Sequence, residues 1–204
     1  MIKEEILSLK VDVPEGQIGQ WRVEKYVKTQ EDYDKQVKGK KPNWCRYFGP
    51  PGNYTRLLYG KELVMYDEWL ELSSFVDFCN EAHGDVLVTG LGLGVVIDIL
   101  MLNPDVKSVT AIEISDEVIE LTGGHYKDKY PGKITLINAD AWKWEPEREY
   151  DCAWHDVWNF APDREGMKTI AEKYSQWVTG KQTGWPEHTE DWKRYCNGTK
   201  SNST

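Results

Sequence analysis

The sequence predicts an α/β fold, a parallel sheet flanked by helices with a small β-rich extension before it. Three observations carry the prediction. From residue 84 onward, short apolar runs alternate with helical patterns, as a parallel sheet with crossover helices requires. The first run opens into a glycine-rich turn, Gly90-Leu-Gly92-Leu-Gly94. The second ends on an acidic residue, Glu113.

Residues 1 to 60 are polar and irregular, with a short strand expected over Gln20 to Val27. Pro14-Glu-Gly16 and Gly49-Pro-Pro-Gly52 interrupt them. Tyr54 to Tyr59 and Glu62 to Tyr66 read as two strands joined through Gly60-Lys61, where glycine supplies the positive φ of a tight hairpin. Residues 67 to 80 predict a helix. Trp69, Leu72, Phe75, Val76 and Cys79 share one face, Glu71 lies opposite, and Asp67 is placed to cap the start.

The core begins with an apolar strand, Asp85 to Thr89, then the glycine turn, then a helix from Val95 to Leu102 closed by Asn103-Pro104. A second strand runs from Ser108 to Ile114. Ser115 caps the next helix, with Asp116 and Glu117 favoured by the helix dipole in its first turn. Gly123-Gly124 is expected to break that helix. Ile134 to Asp140 and Asp151 to Asp156 supply two more strands, and a helix is expected over about 163 to 178. A Trp-rich segment (184 to 195) and a polar tail, expected to be disordered, follow. The chain thus divides into an extension (1–66), a core (67–160) and a C-terminal helix and lid (161–204).

A chain of 204 residues with 40% hydrophobic content can bury one core. The net charge of -9 and a single basic cluster (Lys35, Lys38, Lys40, Lys41, Arg46) disfavour a nucleic acid partner. The balance suits a small or cationic substrate. The four cysteines form no C-x-x-C pair, so no metal site is expected. No apolar run approaches a membrane span, and no secretory h-region is visible. The expected location is the cytoplasm.

The chemistry concentrates at the carboxyl ends of the predicted strands, where open α/β sheets bind ligands. Glycines let a ligand approach the backbone without a Cβ in the way. The helix that follows offers unpaired N–H groups. Glu113 stands 23 residues after Gly90, a spacing at which an acid can take the hydroxyls of a ribose. The competing reading is a structural turn beside a surface glutamate. The spacing G-x-G-x-G is not the dinucleotide fingerprint G-x-G-x-x-G, which turns the reading away from NAD and FAD. Asp140 can accept from an adenine amino group or simply cap a turn. Asp156 ends an apolar strand at the same edge and can orient an amine or accept its proton. His155 points to the other sheet face if the strand continues.

The stretches VLVTGLGLGVV, VTAIEISDEVIEL, ITLINADAWKW and YDCAWHDVW, in this order and spacing, resemble the core of spermidine synthases and class I S-adenosylmethionine-dependent methyltransferases. The resemblance covers about residues 54 to 158. Short forms of this kind are also similar to bacteriophage-encoded proteins. It implies a Rossmann-like methyltransferase core, reduced at its C-terminal strands, and S-adenosylmethionine or its decarboxylated form as cofactor. Carried over by position, Gly90, Leu91, Gly92 and Gly94 would face the cofactor. Glu113 with Ile114 would hold the ribose, and Asp140 with Ala141 the adenine. Asp156 would match the catalytic aspartate. Tyr66, Glu71, His155 and Trp158 would line the acceptor pocket. The resemblance implies methyl transfer to a small-molecule acceptor and self-association, in its simplest form a homodimer. Aminopropyl transfer and cofactor binding without turnover are the alternatives.

Two positions depart from the pattern. Val88 stands where many methyltransferases carry an acid for the methionine amino group. Leu93 stands where spermidine synthases carry an aspartate. The ten tryptophans, with Trp142, Trp144, Trp154 and Trp158 beside the ligand edge, suit either core packing or an aromatic platform.

Overall fold

The computed structural model describes residues 3–40, 48–158 and 164–185. Five strands form a parallel sheet: β5 (Gly84–Thr89), β6 (Val106–Glu113), β7 (Ile134–Asn138), β8 (Cys152–His155) and β9 (Gln182–Gly184), in the order β7-β6-β5-β8-β9. The chain starts in the middle, builds outward one way, then returns to build the other way. The reversal falls at β5, so the chain leaves β5 and β8 in different directions and opens a crevice at their carboxyl ends.

Strand alternation sorts the side chains into two cores. Val86, Val88, Val109, Ala111, Cys152 and Trp154 face one side. There they meet α3 (Trp69–Glu81) and α4 (Val95–Leu102). Leu87, Ile112 and Ala153 face the other side, against Ile170 and Tyr174 of α7 (Arg164–Tyr174). This alternation follows from the period of two in a strand. Trp154 enters the first core, its ring 4.9 Å from that of Phe75 and 5.4 Å from that of Phe78.

Residues 16 to 66 hold a four-stranded antiparallel meander: β1 (Gly16–Ile18), β2 (Trp21–Lys28), β3 (Gly52–Tyr59) and β4 (Glu62–Tyr66). The expected hairpin is β3–β4, turned at Gly60 with φ +60°. The N-terminal part of the chain also holds two helices that the sequence pattern does not predict. α1 (Lys3–Leu7) packs its Ile6 into the first core. α2 (Gln30–Val37) starts on a capping box, in which Asp32 N–H donates to the Thr29 hydroxyl and Thr29 N–H to the Asp32 carboxylate.

Other local expectations are corrected. Asp67 does not cap α3, whose N-cap is Glu68 with no side-chain cap bond. Asp67 is fully buried and accepts from Val11 N–H at 2.9 Å and Thr55 N–H at 2.7 Å, tying the N-terminal segment to β3. Gly123-Gly124 breaks nothing. α5 (Asp116–Val118) continues through a π-helical stretch (Ile119–Gly123) into α6 (Gly124–Lys129). A Cβ at Gly123 would lie 2.4 Å from Leu136 Cδ1, so glycine there lets helix and sheet approach. The C-terminal helix ends at Tyr174, earlier than expected, and β9 adds a parallel strand that the sequence reading omits. Most of the Trp-rich segment and the polar tail lie outside the described residues.

Candidate active site

The glycine turn follows β5 directly. At Gly90 φ is +91°, and a Cβ would stand 1.8 Å from the Asp156 carbonyl oxygen. The backbones leaving β5 and β8 therefore touch, and only glycine permits it. Gly94 (φ +76°) gives the start of α4 a left-handed cap, and its missing side chain makes room for the ring of Tyr126. Tyr126 donates its hydroxyl to the Leu93 carbonyl at 2.9 Å.

Glu113, at the end of β6, anchors this turn. One carboxylate oxygen accepts from Leu91 N–H at 2.9 Å, and the other from Ser115 N–H at 2.9 Å. Each oxygen can still accept from a ligand hydroxyl. Asp140 stands just beyond β7, where one oxygen accepts from Trp142 N–H at 2.9 Å and the other meets Lys143 Nζ at 3.0 Å. The bond from Lys143, with that from the Trp142 amide, holds its pKa below the ordinary aspartate value.

Asp156 directly follows β8. Its backbone N–H donates to the Thr89 carbonyl at 2.7 Å, which fixes the chain at the crevice. Its carboxylate has no hydrogen-bond or ion-pair partner among the described residues. Burial, and then the Glu113 charge, push its pKa up to about 7. Glu71, in the first turn of α3, is likewise without a partner among the described residues. Burial, and then the Asp156 charge, push it up to about 8. Desolvation dominates both shifts, and the weaker charge effects link Glu71 to Asp156 and Asp156 to Glu113. Each side chain keeps some exposed surface, and both line the cavity.

That cavity measures about 230 Å³ and opens at the carboxyl edge of the sheet. It collects Gly90, Gly92, Glu113, Ile114, Asp140, Ala141, Asp156, Glu71 and Trp158 of the residues expected from sequence. Leu91 and Gly94 are not on the wall: the Leu91 amide binds Glu113 while its side chain is buried in the first core, and Gly94 caps α4. Tyr66 is not on the wall. Burial and the nearby Glu71 and Glu68 charges raise its hydroxyl pKa. His155 is turned away, as strand alternation requires. Its ring is fully buried, contacts the Thr89 hydroxyl at 3.0 Å and Gln182 Oε1 at 3.1 Å, and stacks on Tyr174. Burial lowers its pKa to about 4, so it stays neutral at physiological pH.

The cavity also contains residues that sequence reasoning did not place there. Trp21, Val64 and Met65 come from the antiparallel sheet, and Trp185 from the end of β9. The Met65 thioether accepts from Leu93 N–H at 3.3 Å, docking the two sheets at the turn. Among the tryptophans beside the edge, Trp142 and Trp158 line the cavity, while Trp144 and Trp154 pack in the two cores. Val88 and Leu93 are fully buried core residues. Among the described residues the wall holds four carboxylates and four indoles, and no Lys, Arg or His. No group of three or more His, Cys, Asp or Glu among them is placed to hold a metal ion. No described helix is long and apolar enough to cross a membrane.

The strand order and the crevice define a Rossmann-like α/β core with a ligand-sized cavity at its switch point. No family model and no curated protein matches the chain. Among solved structures, it is similar to DhpI in complex with SAH, at 22% identity over 52% of this chain and 50% of that one, with a TM-score of 0.42. CalS10, an amino pentose methyltransferase from Micromonospora echinaspora, gives 16% identity, 56% and 52% coverage and a TM-score of 0.42. The N-methyltransferase NodS from Bradyrhizobium japonicum WM9 gives 17%, 52% and 58%, with a TM-score of 0.42. The chain spans about half the length of these proteins. They are likenesses between parts of chains, and the fold class rests on the topology described above.

Proposed function

We propose that this protein binds S-adenosylmethionine in the cavity and transfers its methyl group to a small-molecule acceptor. The observation that carries the reading is Asp156: a desolvated carboxylate without a hydrogen-bond or ion-pair partner among the described residues, in backbone contact with the glycine turn at the switch point. When bound, the cofactor supplies a methyl group already activated on a sulfonium. Little is then required of the protein beyond alignment and a place for the acceptor's proton.

Glu113, fixed by the Leu91 and Ser115 amides, turns its remaining lone pairs to the ribose hydroxyls. Asp140 and Ala141 take the adenine edge, between Ile114 and Trp142 on the wall. Asp156 orients the acceptor and receives its proton, for which a pKa near 7 is suited. A carboxylate wall with aromatic faces also suits a sulfonium cation. A second reading, binding without turnover, draws on the burial of Val88 and Leu93, since neither position can offer an acid to the amino acid end of the cofactor.

Calorimetric titration with S-adenosylhomocysteine tests the reading. Binding is expected in the native protein, with a loss of about tenfold or more in Glu113→Ala, where charged hydrogen bonds to the ligand disappear. Absence of binding would overturn the cofactor assignment.

A further inference from the structure

We propose that the acceptor is an amine that enters the cavity as its ammonium ion, and that Glu71 is the residue that selects it. The inference rests on the methyl-transfer reading and names the acceptor class for that same site.

Glu113 and Asp140 are already engaged by protein groups: the first by the Leu91 and Ser115 amides, the second by the Trp142 amide and Lys143. Glu71 and Asp156 are not. They come from different elements, the start of α3 and the end of β8, and meet on one wall with no hydrogen-bond or ion-pair partner among the described residues. Desolvation, and after it the Asp156 charge, push the Glu71 pKa up to about 8, so the two acids on this wall carry their charges at a cost unless a counter-charge is present. A fold tolerates that arrangement most readily when a ligand resolves it, and a cation does so.

The rest of the wall agrees with a cation. The indoles of Trp21, Trp142, Trp158 and Trp185 offer electron-rich faces, and no described lining residue is basic. An anionic acceptor would meet four carboxylates there. An alcohol could donate one hydrogen bond but brings no charge to offset an ionised carboxylate. An ammonium can donate to both acids at once.

The step balances. The acceptor ammonium gives one N–H proton to the Asp156 carboxylate, and the freed nitrogen lone pair forms the new N–C bond to the methyl group. The C–S bond breaks with its electron pair passing to sulfur, giving a neutral thioether. The product leaves as a methylated ammonium, and Asp156 releases its proton to solvent. Glu71, ionised once the ammonium lies beside it, holds the charged nitrogen.

Three probes of similar size separate charge from shape: phenethylamine, its isostere 2-phenylethanol, and phenylacetate, each titrated into the full chain saturated with S-adenosylhomocysteine at pH 8. The expected order is amine, then alcohol, then carboxylate, with the amine ahead of the alcohol by about tenfold or more. In Glu71→Gln the amine advantage should shrink to about threefold or less, while S-adenosylhomocysteine binds as before. The inference is overturned if the amine fails to bind while S-adenosylhomocysteine does, or if the alcohol or carboxylate equals it. It is also overturned if Glu71→Gln weakens S-adenosylhomocysteine and spares the amine preference, because Glu71 then serves the cofactor's amino group. Failure of S-adenosylhomocysteine to bind the native protein would strike the cofactor reading first and this inference with it.

Discussion

Glu68 and Glu71 are three residues apart in sequence and live in opposite surroundings. Glu68 is buried against the antiparallel sheet, where it accepts from the Tyr26 hydroxyl at 2.6 Å and pairs with the equally buried Lys28. Its neighbour Asp67 takes two backbone amides. Glu71, one turn along the helix, faces the cavity beside Asp156 and has no such partner among the described residues. A buried acid whose bonds close within the protein fastens one segment to another. A desolvated acid on a cavity wall, with its bonds left unmade, is a group held ready for something that is not part of the chain.

Four changes would sharpen or break that contrast. The largest effect is expected from Asp156→Asn, with turnover falling about 10²- to 10⁴-fold while the unfolding midpoint does not fall and S-adenosylhomocysteine affinity holds. Single-turnover kinetics with an accepted substrate would show it, and unchanged turnover would remove Asp156 from the chemistry. Lys28→Met should follow, destabilising the fold by about 3–5 kcal/mol because Glu68 is left buried without its cation. Urea unfolding measures this, and a neutral result would mean that the Lys28–Glu68 pair fastens nothing.

The third change is pH. Glu71 and Asp156 have folded-state pKa values of about 8 and about 7, above the ordinary carboxylate range. Between that range and pH 8 the folded state binds more protons than the unfolded one. Their contribution to stability is therefore fully present near pH 4 and lost as pH rises through 7 and 8. Unfolding free energy should decline over that window, and Glu71→Gln should flatten the decline. A slope unchanged by Glu71→Gln would show that Glu71 is well solvated. The smallest effect belongs to the solvent-facing pair at the rim: Lys143→Ala should shift stability by no more than about 0.5 kcal/mol, since the lysine is 85% exposed. Thermal unfolding would detect a larger shift, which would place Asp140 among the fastening acids.

The parts of the site that the sequence made legible are those set by local pattern. Gly90 to Gly94, Glu113, Asp140 and Asp156 each lie at or just past the end of a strand, so the strand pattern alone puts them at one edge. Alternation likewise turns His155 away. The capping box at Thr29 and Asp32 is present in the sequence but does not by itself predict a helix, because the residues around it are polar and show no apolar stripe. β9 is only three residues long, too short for any periodicity to reveal. Asp67 offered a cap by its position in the sequence, but two backbone amides from distant segments took its oxygens first. The paired glycines 123 and 124 suggested a break, where close packing on Leu136 is their use.

By itself the sequence determined the α/β class, the central strands and the acids at their ends, because strand and helix periods and turn chemistry act within a few residues of one another. Only the tertiary structure decided which acids would be satisfied and which left open. It also brought Trp21, Val64, Met65 and Trp185 to the cavity from segments far apart in the chain. Burial, pairing and charge repulsion depend on which surfaces come together, and no local pattern carries that information.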